Sequence, residues 1–374
     1  MVEVSVIIPS RNEQETIGDC IKKIRKALED IELNAEIIVA DNSEDNTPEI
    51  ARSLGADVIT PDGRGYGYAY KYAFKYLKAK HGSYPKYVVI GDADGTYDFS
   101  EIPKLLEPLM KGEADLVIGS RFKGKIEKGA MPWYRRWIGN PILTMFLNLF
   151  YKVGVSDAHS GFRAIRGEAL NKIEIHSNGM EFASEMLIEA ARKGLRIAEV
   201  PITYRRRVYG KSKLSSLQDG WRHLKFMLTY APKHLYMYPG AFFMVVGAIL
   251  LLSALFRVNL GYSPGVHTSI AGSLLLIVGF QMLLFGVFTK MLLGERLPKF
   301  LSLERSLTIG SLIFMAGFVG AAKIGLDWIM SGFEYLPPAV YSVTCLTLMV
   351  LGLQAFLSSF LMSVIAEKKH KWTP

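Results

Sequence analysis

"VVIGDADGTYDF", residues 88–99, begins as an apolar run and ends in two carboxylates, Asp92 and Asp94, with Gly95 directly behind them. A continuous aliphatic run bounded by a turn signal reads as a strand buried on both faces. Asp92 and Asp94 lie two apart, so in extended backbone they project to one side while Ala93 faces away. Each raises the cost of ionising the other, and burial adds to that cost. Such a pair is tolerable where a divalent cation, itself holding phosphates, neutralises it. Gly95 allows close backbone approach or an unusual dihedral. The ordinary alternative is a pair of loop carboxylates capping the helix near Ser100. A calcium-binding helix–loop–helix fails on spacing, because Gly95 comes two residues early and the twelfth position is Pro103, not Glu.

Working outward, "VSVIIP" (4–9) is another apolar strand, followed by a helical pattern over Glu15–Leu28. "AEIIVAD" (35–41) is a second strand, and "NTPEIARSLG" (46–55) a short helix with Thr47 as cap, Pro48 in its first turn and Gly55 at its end. "ADVIT" (56–60), a glycine-rich loop and helix (62–80), "YVVIGD" (87–92), a helix over Ser100–Met110 and "ADLVIGS" (114–120) continue the alternation. Apolar strands separated by helices predict an α/β domain of the Rossmann kind, a mostly parallel sheet covered on both faces. Ligands sit off the carboxyl ends of strands in such sheets. The polar residues there are Pro9-Ser10-Arg11-Asn12-Glu13, Asp41, Asp92-Ala93-Asp94 and Gly119-Ser120-Arg121.

The second half differs in kind. The 374-residue chain is 50% hydrophobic with a formal net charge of +9, and its mean hydropathy is +0.19. Leu235–Phe256, Val258–Thr289, Ser306–Ala322 and Tyr335–Ala366 contain no Asp, Glu, Lys or Arg. These runs are too long, and too uniformly apolar, for buried helices of a soluble protein. They predict four membrane spans, near Tyr238–Phe256, Thr268–Leu292, Ser306–Met330 and Pro338–Ala366. Lys290, Arg296, Lys299 and Arg305 in the second loop, Lys368, Lys369 and Lys371 in the tail, and Arg222, Lys225 and Lys233 before the first span carry the basic charge. By the positive-inside rule the N-terminal domain and the C-terminus are cytoplasmic, in a multi-pass cell-membrane protein. The first apolar run is short and lacks a basic leader, so no signal peptide is expected. Two cysteines, Cys20 and Cys345, exclude a disulfide framework or a cysteine zinc site. The basic balance suits anionic lipid and phosphate ligands rather than nucleic acid, since much of it flanks the spans.

"VSVIIPSRNE", "VADNSEDNT", "GDADG", "GSR" and "DAHSGFRAI" (157–165), in this order at successive strand ends, resemble family 2 glycosyltransferases of the GT-A fold. More narrowly they resemble the dolichyl- or polyprenyl-phosphate sugar synthases, such as the dolichol-phosphate mannose and glucose synthases. "YRRRVYGKSKLS" (204–215) is similar to that group's basic acceptor segment. The likeness covers roughly residues 3–230. It implies a GT-A domain over 1–230, a transmembrane domain over 238–366 and a basic cytoplasmic tail over 367–374. It also implies inverting transfer of a hexose from a nucleotide-diphosphate sugar, of the GDP-mannose or UDP-glucose type, to a polyprenyl or dolichyl phosphate at the cytoplasmic membrane face.

By the same resemblance Pro9, Arg11, Glu13 and Asp41 line the nucleotide pocket, with Arg11 standing where relatives often have Tyr. Asp92 and Asp94 hold the sugar nucleotide, Asp94 being the more direct ligand of Mg²⁺ or Mn²⁺. Thr96 stands where many relatives place a Gln ligand, and Asp98 is either a candidate substitute for it or a cap of the next helix. Arg64, among Gly63, Gly65 and Gly67, and the nearby backbone amides are candidates to approach phosphate. Arg121, Arg135 or Arg136, Arg207, Ser212 and Lys213 are candidates for the acceptor phosphate, whose oxygens suit arginine forks. Asp92, Asp94 and Arg121 form the catalytic set; a lipid phosphate is already anionic, so no general base is required. Asp157 binds sugar or orients Arg207, and His159 is structural or sugar-contacting.

Segments 132–151 and 221–236, with aromatic and basic residues beside apolar ones, read as interfacial helices. Two rival enzymes remain. "DADGT" matches the opening motif of haloacid-dehalogenase-like phosphatases, but sits on the fourth strand rather than the first. A processive polysaccharide synthase carries Q-x-x-R-W, whereas here Gln218-Asp219-Gly220-Trp221-Arg222 reverses the last two. A membrane scaffold with a degenerate nucleotide domain would have no need of Glu13, Asp92 and Asp94.

Overall fold

The apolar run after Glu3 forms β1 (Val4–Ser10), which carries a parallel partner on each side. The computed structural model describes residues 2–209, 216–258, 261–295 and 303–371. Contacts divide the chain into two units, Met1–Met227 and Leu228–Pro374. In the first, β1 is followed by α1 (Ile17–Glu29), β2 (Ala35–Asp41), α2 (Thr47–Ser53), β3 (Asp57–Ile59), α3 (Tyr66–His81), β4 (Tyr87–Ile90), α4 (Ile102–Met110) and β5 (Leu116–Ile126). Then come α5 (Asn140–Tyr151), β6 (Arg163–Arg166), α6 (Gly167–Leu170), α7 (Phe182–Arg192), β7 (Ile197–Tyr204) and α8 (Ser216–Thr229).

The seven strands are ordered β3-β2-β1-β4-β6-β5-β7. Val4 to Ser10 pair in register with Ala35 to Asp41, and Val4 to Ile7 with Tyr87 to Ile90. β6 runs antiparallel between β4 and β5, while β7 pairs parallel with β5. Strand alternation sorts the core. Val6, Ile8 and Val89 join Ile17, Ile21, Leu105 and Leu109 of α1 and α4, while Ile7, Ile38 and Ile90 join Tyr70, Phe74 and Phe182 of α3 and α7. The sheet is therefore apolar on both faces, and the β1, β2 and β4 carboxyl ends share one edge.

Three local expectations change. The sequence reading has no counterpart of β6 or β7. Thr47 is the first residue of α2, behind Asn46; its hydroxyl accepts from the Glu13 amide at 2.9 Å instead of capping its own helix. β4 ends at Ile90, so Asp92 and Asp94 lie in the turn beyond the strand, with Gly95 at φ +72°. Ala93 is buried and the two carboxylates half-buried, an arrangement the turn produces rather than strand alternation.

The second unit consists of α9 (Tyr238–Leu255), α10 (Val266–Leu292), α11 (Leu303–Met330) and α12 (Ala339–Lys371). Among the described residues, four helices are long and apolar enough to cross a membrane, over Lys233–Leu255, Val266–Leu292, Glu304–Met330 and Ala339–Glu367. Glycines let their backbones approach: a Cβ at Gly247 of α9 would stand 2.7 Å from the Gly272 carbonyl oxygen of α10. Side-chain bonds Gln354–Gln281 (3.0 Å) and Ser273–Thr347 (2.5 Å) tie α12 to α10.

Candidate active site

The β1 end turns sharply. Asn12 adopts φ +54°, a left-handed conformation that Asn tolerates better than most residues. Its amide donates to Ser43 Oγ at 2.7 Å and its side chain accepts from the Glu44 amide at 2.9 Å. With the Glu13 amide on Thr47, the loops after β1 and β2 are stitched together. Asp41 is buried and accepts from Ser10 Oγ (2.5 Å), Ser43 Oγ (2.6 Å) and the Ser43 amide (3.0 Å). Pro9 is half-buried in β1, and Arg11 is exposed just beyond it.

In the turn after β4, Asp92 accepts from the Tyr66 hydroxyl at 2.9 Å. Gly161 backs this contact, because a Cβ there would lie 2.7 Å from that hydroxyl and 3.0 Å from Asp92 Oδ2. Burial, and then the neighbouring Asp94, push the Asp92 carboxyl up to about 7. Asp94 Oδ1 accepts from the Thr96 amide at 3.0 Å and its hydroxyl at 2.6 Å. Thr96 is buried and braces Asp94. Asp98 accepts from Ser100 Oγ at 2.8 Å and pairs with Arg205, so it caps the next turn and is no third member of the pair.

Two arginines approach from the other side. Arg207 Nη2 lies 2.5 Å from Glu13 Oε1, and its Nη1 3.6 Å from Asp94 Oδ2. Arg121 is buried and forks onto Asp157, Nε to Oδ2 and Nη2 to Oδ1 at 2.7 Å each, with its guanidinium 5.1 Å from the Tyr204 ring centroid. Burial alone would lower Arg121, but Asp157 and its hydrogen bonds hold it well above the usual guanidinium range. Glu199 accepts from the Ser156 and Asp157 amides at 2.8 and 3.0 Å and fixes the turn that presents Asp157. Asp157 therefore orients Arg121 and not Arg207.

The remaining predicted residues have surroundings of their own. Arg64 is exposed before α3. The Gly67 and Tyr68 amides at that helix start donate to the Gly179 and Asn178 carbonyls, both at 3.2 Å, so they form no free phosphate cradle. Arg135 and Arg136 sit in a π-turn, Arg135–Gly139, leading into α5, with Arg136 over the Trp137 ring at 5.2 Å. Ser212 and Lys213 lie outside the described residues. His159 is half-buried and edge-on to His223 at 4.6 Å, with both ring nitrogens enclosed and, among the described residues, neither hydrogen-bonded. Arg222 reaches Asp219 on its own helix at 3.8 Å while Trp221 is exposed. Sequence reasoning gave no role to Tyr66, Glu199 or Tyr204; Tyr66 lies in the glycine-rich segment and Tyr204 opens the basic acceptor segment, whereas Glu199 had no local signal.

The glycosyl transferase family 2 model matches residues 5–174, and a model of the family 2 C-terminal transmembrane region matches residues 293–366. The low-salt glycan biosynthesis hexosyltransferase Agl6 of Haloferax volcanii is 45% identical over 375 residues, spanning 97% of this chain and 89% of that protein. The chain belongs to glycosyltransferase family 2. A dolichyl-phosphate hexose transferase of Haloferax volcanii is 36% identical to this family 2 glycosyltransferase, over 58% of the chain and 89% of the relative. A glucosyl-3-phosphoglycerate synthase from Mycobacterium tuberculosis, crystallised with Mn²⁺, UDP-glucose and phosphoglyceric acid, matches with 26% identity and a TM-score of 0.48, over 61% of this chain and 78% of that one. The glycosyltransferase has a mostly parallel seven-stranded GT-A-like domain followed, among the described residues, by four helices long and apolar enough to cross a membrane.

Proposed function

We propose that this glycosyltransferase transfers a hexose, with inversion, from a nucleotide-diphosphate sugar to a polyprenyl or dolichyl phosphate at the cytoplasmic face of the membrane. The observation that carries this reading is Arg207, which belongs to the basic segment after β7 yet stands against both Glu13 and Asp94. A cationic acceptor segment touching the carboxylate pair suits a reaction between two phosphate-bearing substrates. The name of the dolichyl-phosphate hexose transferase relative supports the same acceptor class.

The residues fit a divalent cation. Burial, and after it Asp94, raises the Asp92 carboxyl, and hard carboxylate oxygens suit Mg²⁺ or Mn²⁺. Among the described residues no cluster of three His, Cys, Asp or Glu is placed to hold a metal, so donor diphosphate oxygens and water would complete the set. Asp94, and with it Asp92, would hold the cation, and Thr96 acts by fixing Asp94. When bound, the cation supplies charge stabilisation to the leaving diphosphate. Arg121, rigid on Asp157, provides a fixed positive field beside Asp92. Arg207, Ser212 and Lys213 bind the acceptor phosphate, with Arg135 or Arg136 assisting, and orient an oxygen towards the anomeric carbon. The acceptor is anionic and needs no base, so positioning and charge stabilisation account for the rate. Pro9, Arg11, Glu13, Asp41 and Arg64 face the nucleotide.

Membrane attachment has its own support. Trp133, Trp137, Ile138, Ile142, Met145 and Leu149 are all exposed along the π-turn and α5, and the last four recur at helical spacing on one face. The basic second loop and tail favour a cytoplasmic domain. The test is a screen of UDP- and GDP-sugars with Mn²⁺ by thermal shift, followed by transfer assays with and without polyprenyl phosphate. Strict dependence on the lipid phosphate is expected. Hydrolysis of the donor at the same rate without lipid would contradict the reading.

A further inference from the structure

Asp94 offers two oxygens with different neighbours. Oδ1 accepts two bonds from Thr96, while Oδ2 faces Arg207 Nη1 at 3.6 Å. The same guanidinium is gripped more closely by Glu13, at 2.5 Å, and its Nε donates to the Tyr209 carbonyl at 3.0 Å. One side chain therefore joins the β1 end, the outward oxygen of the carboxylate pair and the backbone immediately before Gly210. The acceptor candidates Ser212 and Lys213 follow within four residues of that carbonyl.

Thr96 occupies Oδ1 with two hydrogen bonds, which leaves Oδ2 as the more open oxygen for a cation on Asp94. That oxygen is the one Arg207 neutralises. At 3.6 Å the arginine contributes charge without a hydrogen bond, in a partly solvated setting where side chains are about one-fifth exposed. A divalent ion carries twice the charge and binds carboxylate oxygens at about 2.1 Å. A guanidinium and a dication on one oxygen repel each other, so each weakens the other's hold by the same factor.

We propose that Arg207 is the resident counter-cation of Asp94, and that the donor's divalent cation displaces it. Relieved of Asp94, the guanidinium stays on Glu13 through Nη2 and on Tyr209 through Nε, and its Nη1 turns to the acceptor phosphate. Donor binding thereby makes the acceptor's arginine available, and the lipid phosphate finds its full set of cations only after the sugar nucleotide is in place. This rests on the reading of Asp94 as a metal ligand.

Mn²⁺ binding to the full-length protein in detergent, with UDP or GDP at one fixed concentration to complete the ligand set and without lipid, tests it, read by electron paramagnetic resonance of the free ion. Arg207→Ala, and the gentler Arg207→Gln, should tighten Mn²⁺ binding by about tenfold, the scale of one local charge interaction. Arg207→Lys, which keeps the charge, should stay within about twofold of wild type, as should Arg205→Ala, which removes an equal charge from the Asp98 pair. Unchanged affinity in both neutral Arg207 variants overturns the proposal, and so does an equal gain in Arg205→Ala, which would be a general charge effect. Asp94→Asn separates the two levels. If it abolishes Mn²⁺ binding while the Arg207 variants change nothing, the counter-cation proposal alone fails. If Mn²⁺ binding survives Asp94→Asn, the metal reading fails and the proposal with it.

Discussion

The two units of this glycosyltransferase bury backbone and charge by opposite means. The catalytic unit takes ionised groups out of water and satisfies them: Arg121 forks onto Asp157, and fully buried Arg163 donates to the carbonyls of Ala158, Ser160 and Ala183. The membrane unit removes side chains instead, letting Gly247 meet Gly272 and Gly310 meet Gly352 across helix pairs. Where water is available for the unfolded state, a buried charge is costly to orphan. Where lipid already surrounds the helices, close packing and a few polar pairs do the holding. The same conservative-looking change should therefore have different consequences in the two halves.

The largest effect is expected at the buried ion pair. Asp157→Ala leaves the Arg121 guanidinium buried without its carboxylate, costing about 3–5 kcal/mol. Denaturant unfolding of the catalytic unit's signal should register this loss, and a variant as stable as wild type would mean that Arg121 is solvated.

A pH dependence of similar origin follows from the histidines. Burial first, then Arg163, pushes His223 down to about 4 from an ordinary 6.5. Its Nδ1 is bonded to Ser184 Oγ at 2.8 Å, and it packs edge-on to His159, which burial and His223 also hold well below the usual range. The unfolded state therefore binds more protons between these values. Stability should be full above about pH 6.5 and fall as pH drops towards 4, by about 3 kcal/mol from His223. His223→Gln should flatten that part of the profile measured by thermal melts.

In the membrane unit, Gly247→Val should cost about 1–3 kcal/mol by forcing α9 and α10 apart, seen as a lower melting temperature in detergent with the site's ligand affinities unchanged. Equal losses of donor affinity in that variant would erase the contrast between the halves. The smallest effect belongs to Thr96→Val, which removes one hydroxyl bond to Asp94 and should weaken Mn²⁺ binding by about three- to tenfold. Complete loss would instead make Thr96 a ligand.

These contrasts also explain what the sequence revealed. Asp92, Asp94, Glu13 and Asp41 were legible because each follows a long apolar run, and the position of a strand end is a local property. The membrane helices were legible because the lack of charge extends over a whole span. Strand β6 was not, since "RAIR" is four residues with a charge at each end, and its place between β4 and β5 is set by pairings made far along the chain. The Arg121–Asp157 fork joins residues 36 apart and the Glu13–Arg207 pair joins residues 194 apart. No periodicity encodes such partners. Thr47 shows the same limit at short range: its spacing fits a cap, yet the β1 loop claims its hydroxyl.

The most direct measurement is the rate of hexose transfer from the preferred nucleotide sugar to polyprenyl phosphate by wild type and Asp94→Ala, with both melting temperatures recorded. Wild type should give a polyprenyl-phosphate hexose of inverted anomeric configuration, and Asp94→Ala should melt normally while losing at least about a thousandfold in rate. A folded Asp94→Ala protein that transfers hexose at the wild-type rate would contradict the reading of the carboxylate pair on which the mechanism stands.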